Sequence, residues 1–246
     1  MSSPTAQSFP PMGEHAHEPH SDAIAGKMNA LRAAVLGAND GIVSVAGLVM
    51  GVAAATSDRH TILVAGMAGL VAGAISMAAG EYVSVSTQRD TERALIAKET
   101  RELAEEPEDE LAELAELYRQ RGLSEELAEQ VAVELTAHDA LRSHLDIELG
   151  IDPDELTNPW HAAGASMLAF TLGALLPLLT ILLFSADLRA AVTLVAVVVA
   201  LAGTGWTSAR IGGAPVRPAV TRVVVGGVLA MAVTYGIGSL VGMGMS

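Results

Sequence analysis

Five stretches of the chain are apolar on every side, and one intervening stretch is not. Across residues 31–55 the only charged side chains are Arg32 and Asp40, and across 61–86 the only one is Glu81. Residues 160–184, 190–209 and 223–243 carry no Asp, Glu, Lys or Arg. Each stretch is long enough to cross roughly 30 Å of hydrocarbon as a helix. None shows the polar face that a helix on a soluble core presents to water. In lipid a chain must satisfy its backbone N–H and C=O groups internally, so such runs are helical. The pattern predicts five spans, two within residues 31–86 and three within 159–246.

Residues 87–158 read differently, as three amphipathic helices. The first, 87–106, continues the second span without a breaker until Pro107. The next, 108–121, has Leu111, Leu114 and Leu117 on one stripe and stops at Gly122. Ser124 is placed to cap a long third helix ending at Leu149, with Gly150 as its stop. Its expected apolar face is Leu127, Val131, Leu135, Leu141 and Leu145. Pro153 and Pro159 lead back to the membrane. Residues 1–30 lack periodicity and the apolar core of a signal peptide, and read as a flexible tail. His15, His17 and His20 there are better read as solvated than as a metal site. The expected fold is an all-α membrane protein: five transmembrane helices plus a three-helix cytoplasmic metal-binding domain inserted between spans two and three.

Composition sharpens this picture. The chain has 246 residues, 51% hydrophobic, with 28 acidic and 14 basic side chains and a net charge of −14. Residues 87–158 hold 21 of the acidic and 7 of the basic residues, so the insert carries the whole excess and the membrane body is neutral. The absence of cysteine excludes disulfides, Cys-ligated zinc or iron–sulfur sites and a thiol nucleophile. A chain this acidic, without a basic stripe, is no partner for nucleic acid. Twelve Lys and Arg residues fall on the side of the N-terminus, the insert and the loop between spans four and five, against Arg59 and Arg189 in the opposite loops. The positive-inside rule therefore places the N-terminus and insert in the cytoplasm and the C-terminus outside. Trp160 and Trp206 fall at the cytoplasmic interface, where indole rings anchor.

Two groups of residues can carry chemistry. Within the membrane, Asp40 and Glu81 are expensive unless paired, protonated or hydrated, which marks them as functional. Met77 lies one turn before Glu81, and oxygen with sulfur donors suits a first-row divalent ion better than Ca²⁺ or Mg²⁺. A carboxylate in such a setting holds its charge only against a cation, so metal and proton compete for it. Gly37 and Gly41, Gly47 and Gly51, Gly69 and Gly73, and Gly238 and Gly242 are small-xxx-small pairs that let helices approach closely. Pro177 predicts a kink in span three. In the insert, Glu99, Glu102 and Glu106 share one helical face, and Glu110, Glu113 and Glu116 repeat the pattern. Glu134 and His138, and His144 and Glu148, are each four apart. Carboxylate-rich helices with an occasional His are how bundle proteins build metal sites.

These segments resemble a known family. Asn39-Asp40-Gly41-Ile42-Val43-Ser44 and Ser76-Met77-Ala78-Ala79-Gly80-Glu81-Tyr82-Val83-Ser84-Val85 look like signatures of the vacuolar iron transporter family. Gln88-Arg89-Asp90, Ala137-His138-Asp139-Ala140 and Glu148-Leu149-Gly150 resemble it too, and the likeness runs from Leu31 to Met243. It implies a five-span homodimer with the ion path along the dimer interface, and Fe²⁺ leaving the cytoplasm in exchange for protons. By motif position Asp40 and Met77 would be pathway ligands with Glu81 nearby, and Glu99, Glu102, Glu110, Glu113 and Glu148 metal-binding carboxylates of the insert. The chain departs from eukaryotic members, which carry a Met pair where this one has His144-Leu145; imidazole ligates Fe²⁺ or Zn²⁺.

The expected function is a divalent iron (or manganese)/proton antiporter, with no permanently bound cofactor, in a bacterial plasma membrane. The alternative is a membrane-tethered metal-binding or storage module, for which Asp40 and Glu81 are dispensable. No nucleophile–base pair, phosphate loop or cofactor fingerprint points to an enzyme.

Overall fold

The computed structural model describes residues 21–153 and 157–245. The tail histidines lie outside the described residues. Among the described residues seven α-helices follow in order: α1 (Ser21–Ala55), α2 (Arg59–Glu105), α3 (Pro107–Gln120), α4 (Glu125–His144), α5 (Pro159–Leu183), α6 (Arg189–Ile211) and α7 (Val216–Met245). A single π-helical turn, Leu145–Leu149, follows α4 directly. Helix α1 starts at Ser21, so it reaches ten residues into the segment read as a tail. The Ala, Ile, Lys and Met residues there favour a helix once a membrane span propagates from them.

α1, α2, α5, α6 and α7 are each long and apolar enough to cross a membrane. α1 is the central post, packing on α2, α5, α6 and α7. Its Val45, Ala46 and Val49 are buried against a core that includes Ile62, Phe170, Leu178, Leu201 and Met231. The outer faces keep Leu63, Met67, Val71 and Ile75 of α2 exposed, as a lipid-facing stripe requires.

Small residues set the helix spacing. A Cβ on Gly41 would run into the Phe170 carbonyl, and one on Gly173 into that of Ala38, so α1 and α5 touch backbone to backbone. Gly238 and Gly242 meet Gly51 and Ala55 in the same way where α7 crosses α1. All four small-xxx-small pairs thus lie at helix contacts. α5 remains one helix through Pro177, where Thr180 Oγ1 donates to the Pro177 carbonyl at 3.1 Å.

The two short loops opposite the insert are cross-tied. Arg189, only 4% exposed, donates to the carbonyls of Ala53 (3.2 Å), Thr56 (2.9 Å) and Ser57 (3.3 Å) at the end of α1. Arg59 donates to Phe184 at the end of α5 (3.1 Å). Each arginine satisfies orphan carbonyls of a neighbouring helix end. Asp58 caps α2 by accepting from the His60 and Thr61 N–H groups.

α2 runs unbroken through residues 87–105, far past the last residue of its apolar segment, and Pro107 begins α3. Gly122 (φ 103°) and Gly150 (φ 61°) take left-handed backbone at the stops. Leu114 and Ile147 are buried with Ala132, while Leu111, Leu117 and Leu135 pack around them. Of the expected apolar face, Leu145 is buried and Val131, Leu135 and Leu141 are half-buried, but Leu127 departs from it. Leu127 is 48% exposed, and Ala128 and Ala132 are the buried positions. Asp139 (φ −160°, ψ 93°) kinks the helix, so one continuous 3.6-residue stripe does not describe both halves. Ser124 sits in the capping position without a side-chain cap bond.

Candidate metal centre

The helices around the insert bring four potential ligands together. Glu99 comes from the extended end of α2, Glu110 from the first turn of α3, His144 from the end of α4 and Glu148 from the π turn. The Glu99, His144 and Glu148 ligand atoms all lie within 4.8 Å of one another. His144 Nδ1 is 2.9 Å from Glu99 Oε1 and 3.5 Å from Glu110 Oε2. His144, Glu99 and Glu110 are buried, whereas Glu148 is exposed at the mouth.

Local structure explains the convergence. Without a breaker before Pro107, α2 projects Glu99 away from the apolar layer. Pro107 then begins α3, whose first turn brings Glu110 to 3.5 Å from His144. The π turn after His144 widens the helix by a residue, a distortion often found at functional sites. Arg121 Nη2 donates to the Ile147 carbonyl at 2.8 Å and steadies that turn.

Crowded, buried carboxylates dominate the electrostatics of the cluster. Burial, then the negative charges of Glu148, Glu110 and Glu102, push the Glu99 carboxyl up to about 7. Glu110 is raised for the same first reason, with Glu113 next. Glu99 Oε1 and His144 Nδ1 touch at 2.9 Å without hydrogen-bond geometry, and His144 Nε2 is buried with no partner at all. Orphaned buried acceptors are costly and rare, and a ligand set for a metal is one arrangement that produces them.

Of the remaining expected residues, only Glu102 and Glu113 act on this cluster. Glu102 is half-buried and ion-paired to Lys98 at 2.6 Å. Glu113 is exposed one turn after Glu110 and acts on it through charge. Glu116 is held by Arg119 (2.5 and 2.6 Å) and Gln120 (3.0 Å), which lower its pKa to about 2, so it points to ion pairing rather than metal. Glu134 and His138 are exposed and join no cluster among the described residues.

A second site lies in the apolar layer. Asp40 of α1 and Met77 of α2 line one cavity of about 210 Å³, together with Ser44, Ser76 and Phe170. Ser44 Oγ donates to the Asp40 carbonyl at 2.6 Å, which leaves its oxygen free to accept. Gly69 and Gly73 floor the cavity, and a Cβ at Gly73 would strike the Phe170 ring. Glu81, half-buried one turn beyond Met77, does not line it. The next residue, Tyr82, packs its ring 4.6 Å from Trp160 of α5. Sequence reasoning missed Ser44, Ser76 and Phe170; the serines carry a signal, one being four residues after Asp40 and the other adjacent to Met77.

The sequence as a whole has close relatives among known proteins. The sequence model of the VIT family matches residues 31–239. A vacuolar iron transporter of Acanthamoeba castellanii is 43% identical over 212 residues, 85% of this chain and 78% of that protein. Vacuolar iron transporter homolog 1 of Oryza sativa is 42% identical over 216 residues (87% and 74%), and that of Arabidopsis thaliana 39% over 214 (86% and 83%).

Proposed function

The chain belongs to the VIT family, and from that premise we propose that it is a transporter carrying divalent iron across a membrane, out of the cytoplasm, in exchange for protons. The observation that carries the reading is Asp40 with Met77. Two different spans place a carboxylate and a thioether on one cavity inside the apolar layer, where neither a solvated nor a packing role accounts for the acid. Relatives named as vacuolar iron transporters supply the ion.

The cluster of Glu99, Glu110, His144 and Glu148 captures the metal before it enters the membrane, with Glu102 and Glu113 adding negative potential at its rim. The excess of basic residues on this side puts it in the cytoplasm and the C-terminus outside. Oxygen and imidazole donors accept Fe²⁺, Mn²⁺ or Zn²⁺, and His144 favours the nitrogen-preferring end of that series. Proton coupling follows from chemistry at the ligands, which must shed protons to bind metal. Two copies pair so that the open side of the Asp40 cavity faces its counterpart. A bacterial plasma membrane is the setting proposed.

The test is Fe²⁺, Mn²⁺ and Zn²⁺ movement in proteoliposomes of the full chain under an imposed pH gradient. Metal flux that grows with the gradient and acidifies the compartment the metal leaves supports the antiporter. Stoichiometric metal binding without flux replaces it with the tethered storage module.

A further inference from the structure

A second cavity, of about 460 Å³, opens against α1 at Asn39, the neighbour of Asp40. It lies where three span ends meet: the start of the α1 span at Arg32, the end of α6 at Ile211 and the start of α7 at Val216. That places it at the edge of the apolar layer, on the same face as the insert. Arg32 and Arg222 line it from two helices, with Thr204 and Ser208 of α6 on the wall.

Among the described residues, Arg59, Arg119, Arg121 and Arg189 each donate to a carbonyl or carboxylate, whereas Arg32 and Arg222 have no hydrogen bond or carboxylate partner within reach. Asn39 Oδ1 is buried without a partner. An amide's oxygen and nitrogen are interchangeable in assignment, so its NH₂ can equally serve the cavity as a donor. Leu36, also lining it, is 54% exposed on the outer side. Thr204 Oγ1 already donates to the Leu201 carbonyl at 3.0 Å, so two guanidinium groups, the Ser208 hydroxyl and the Asn39 amide are what the cavity offers to the oxygens of a phosphate. Basic pockets between spans at the membrane edge take anionic headgroups.

We propose that this cavity binds a phosphate group, supplied by an anionic phospholipid whose acyl chain lies along Leu36. Inorganic phosphate has the same chemistry, so the test separates the two sources. The delipidated full chain in detergent is titrated with phosphatidylglycerol, with phosphatidylcholine and with inorganic phosphate, reading bound lipid by native mass spectrometry and the melting temperature. Phosphatidylglycerol stays bound and raises the melting temperature, phosphatidylcholine does not, and R32Q/R222Q weakens the binding about thirtyfold. R217Q, a nearby exposed arginine that does not line the cavity, leaves it unchanged. A shift with inorganic phosphate that R32Q/R222Q abolishes keeps the phosphate site and assigns it to a soluble anion. Equal responses to both lipids, or the same loss in R217Q, overturn the proposal. Both arginines are exposed, so the variant folds.

Discussion

Protonation of Glu99 should set the pH dependence of metal capture. Its carboxyl is raised to about 7, first by burial and then by three neighbouring carboxylates. Metal binds only the ionised form. For one group titrating at about 7, the apparent Kd is multiplied by about 2 at pH 7, about 11 at pH 6 and about 100 at pH 5. Glu110, raised in the same direction, steepens the loss. The metal-free fold behaves oppositely. A folded-state carboxyl above its unfolded value of 4.5 binds more protons folded than unfolded, so metal-free stability rises as pH falls from about 7 towards 4.5. The assay is Mn²⁺ binding to the full chain in nanodiscs by calorimetry between pH 5 and 8, with melting curves of the metal-free protein alongside. Glu99→Gln should weaken binding at pH 8 by at least about tenfold and flatten both pH dependences. A wild-type Kd that does not change between pH 5 and 7, or an undiminished slope in Glu99→Gln, would refute the reasoning.

Three further outcomes follow from the packing and the second site. Arg189→Ala strips three carbonyls of their donor and should cost about 2 kcal/mol or more, seen as a lower melting temperature with metal affinity unchanged. Gly41→Ala forces a Cβ against the Phe170 carbonyl and should cost about 1–3 kcal/mol, whereas Gly80→Ala, with nothing within 4 Å of its Cβ, should be neutral or slightly stabilising by thermal unfolding. Met77→Leu conserves volume but removes the sulfur, so folded yield should hold while the Fe²⁺ transport rate drops by at least about tenfold.

Much of this was legible in the sequence because single residues decide it. Pro107, Gly122 and Gly150 mark real helix boundaries, and each glycine pair sits at a helix crossing, where Gly41, Gly238 and Gly242 leave no room for a Cβ against a neighbouring backbone. Asp40 and Met77 stand out because a carboxylate in an apolar run has no inexpensive explanation. Leu127 misled because the kink at Asp139 and the π turn shift the phase of α4, and neither leaves a proline or glycine behind. Those same distortions turn His144 inward beside Glu99. The spacing pairs His144 with Glu148 but is silent on the partner more than forty residues away. Arg59 and Arg189 count against a cytoplasmic side, yet that count gives no hint that both tie helix ends. Phe170 escaped because it reads as one more apolar residue of its span.

The central claim is that metal crosses the membrane by way of Asp40. Its direct measurement is Fe²⁺ flux with simultaneous proton flux in proteoliposomes, comparing the wild-type chain with Asp40→Ala. The account predicts that Asp40→Ala abolishes both fluxes while the folded protein still binds metal at the Glu99–His144 cluster; Fe²⁺ and proton movement at wild-type rates in Asp40→Ala would contradict it.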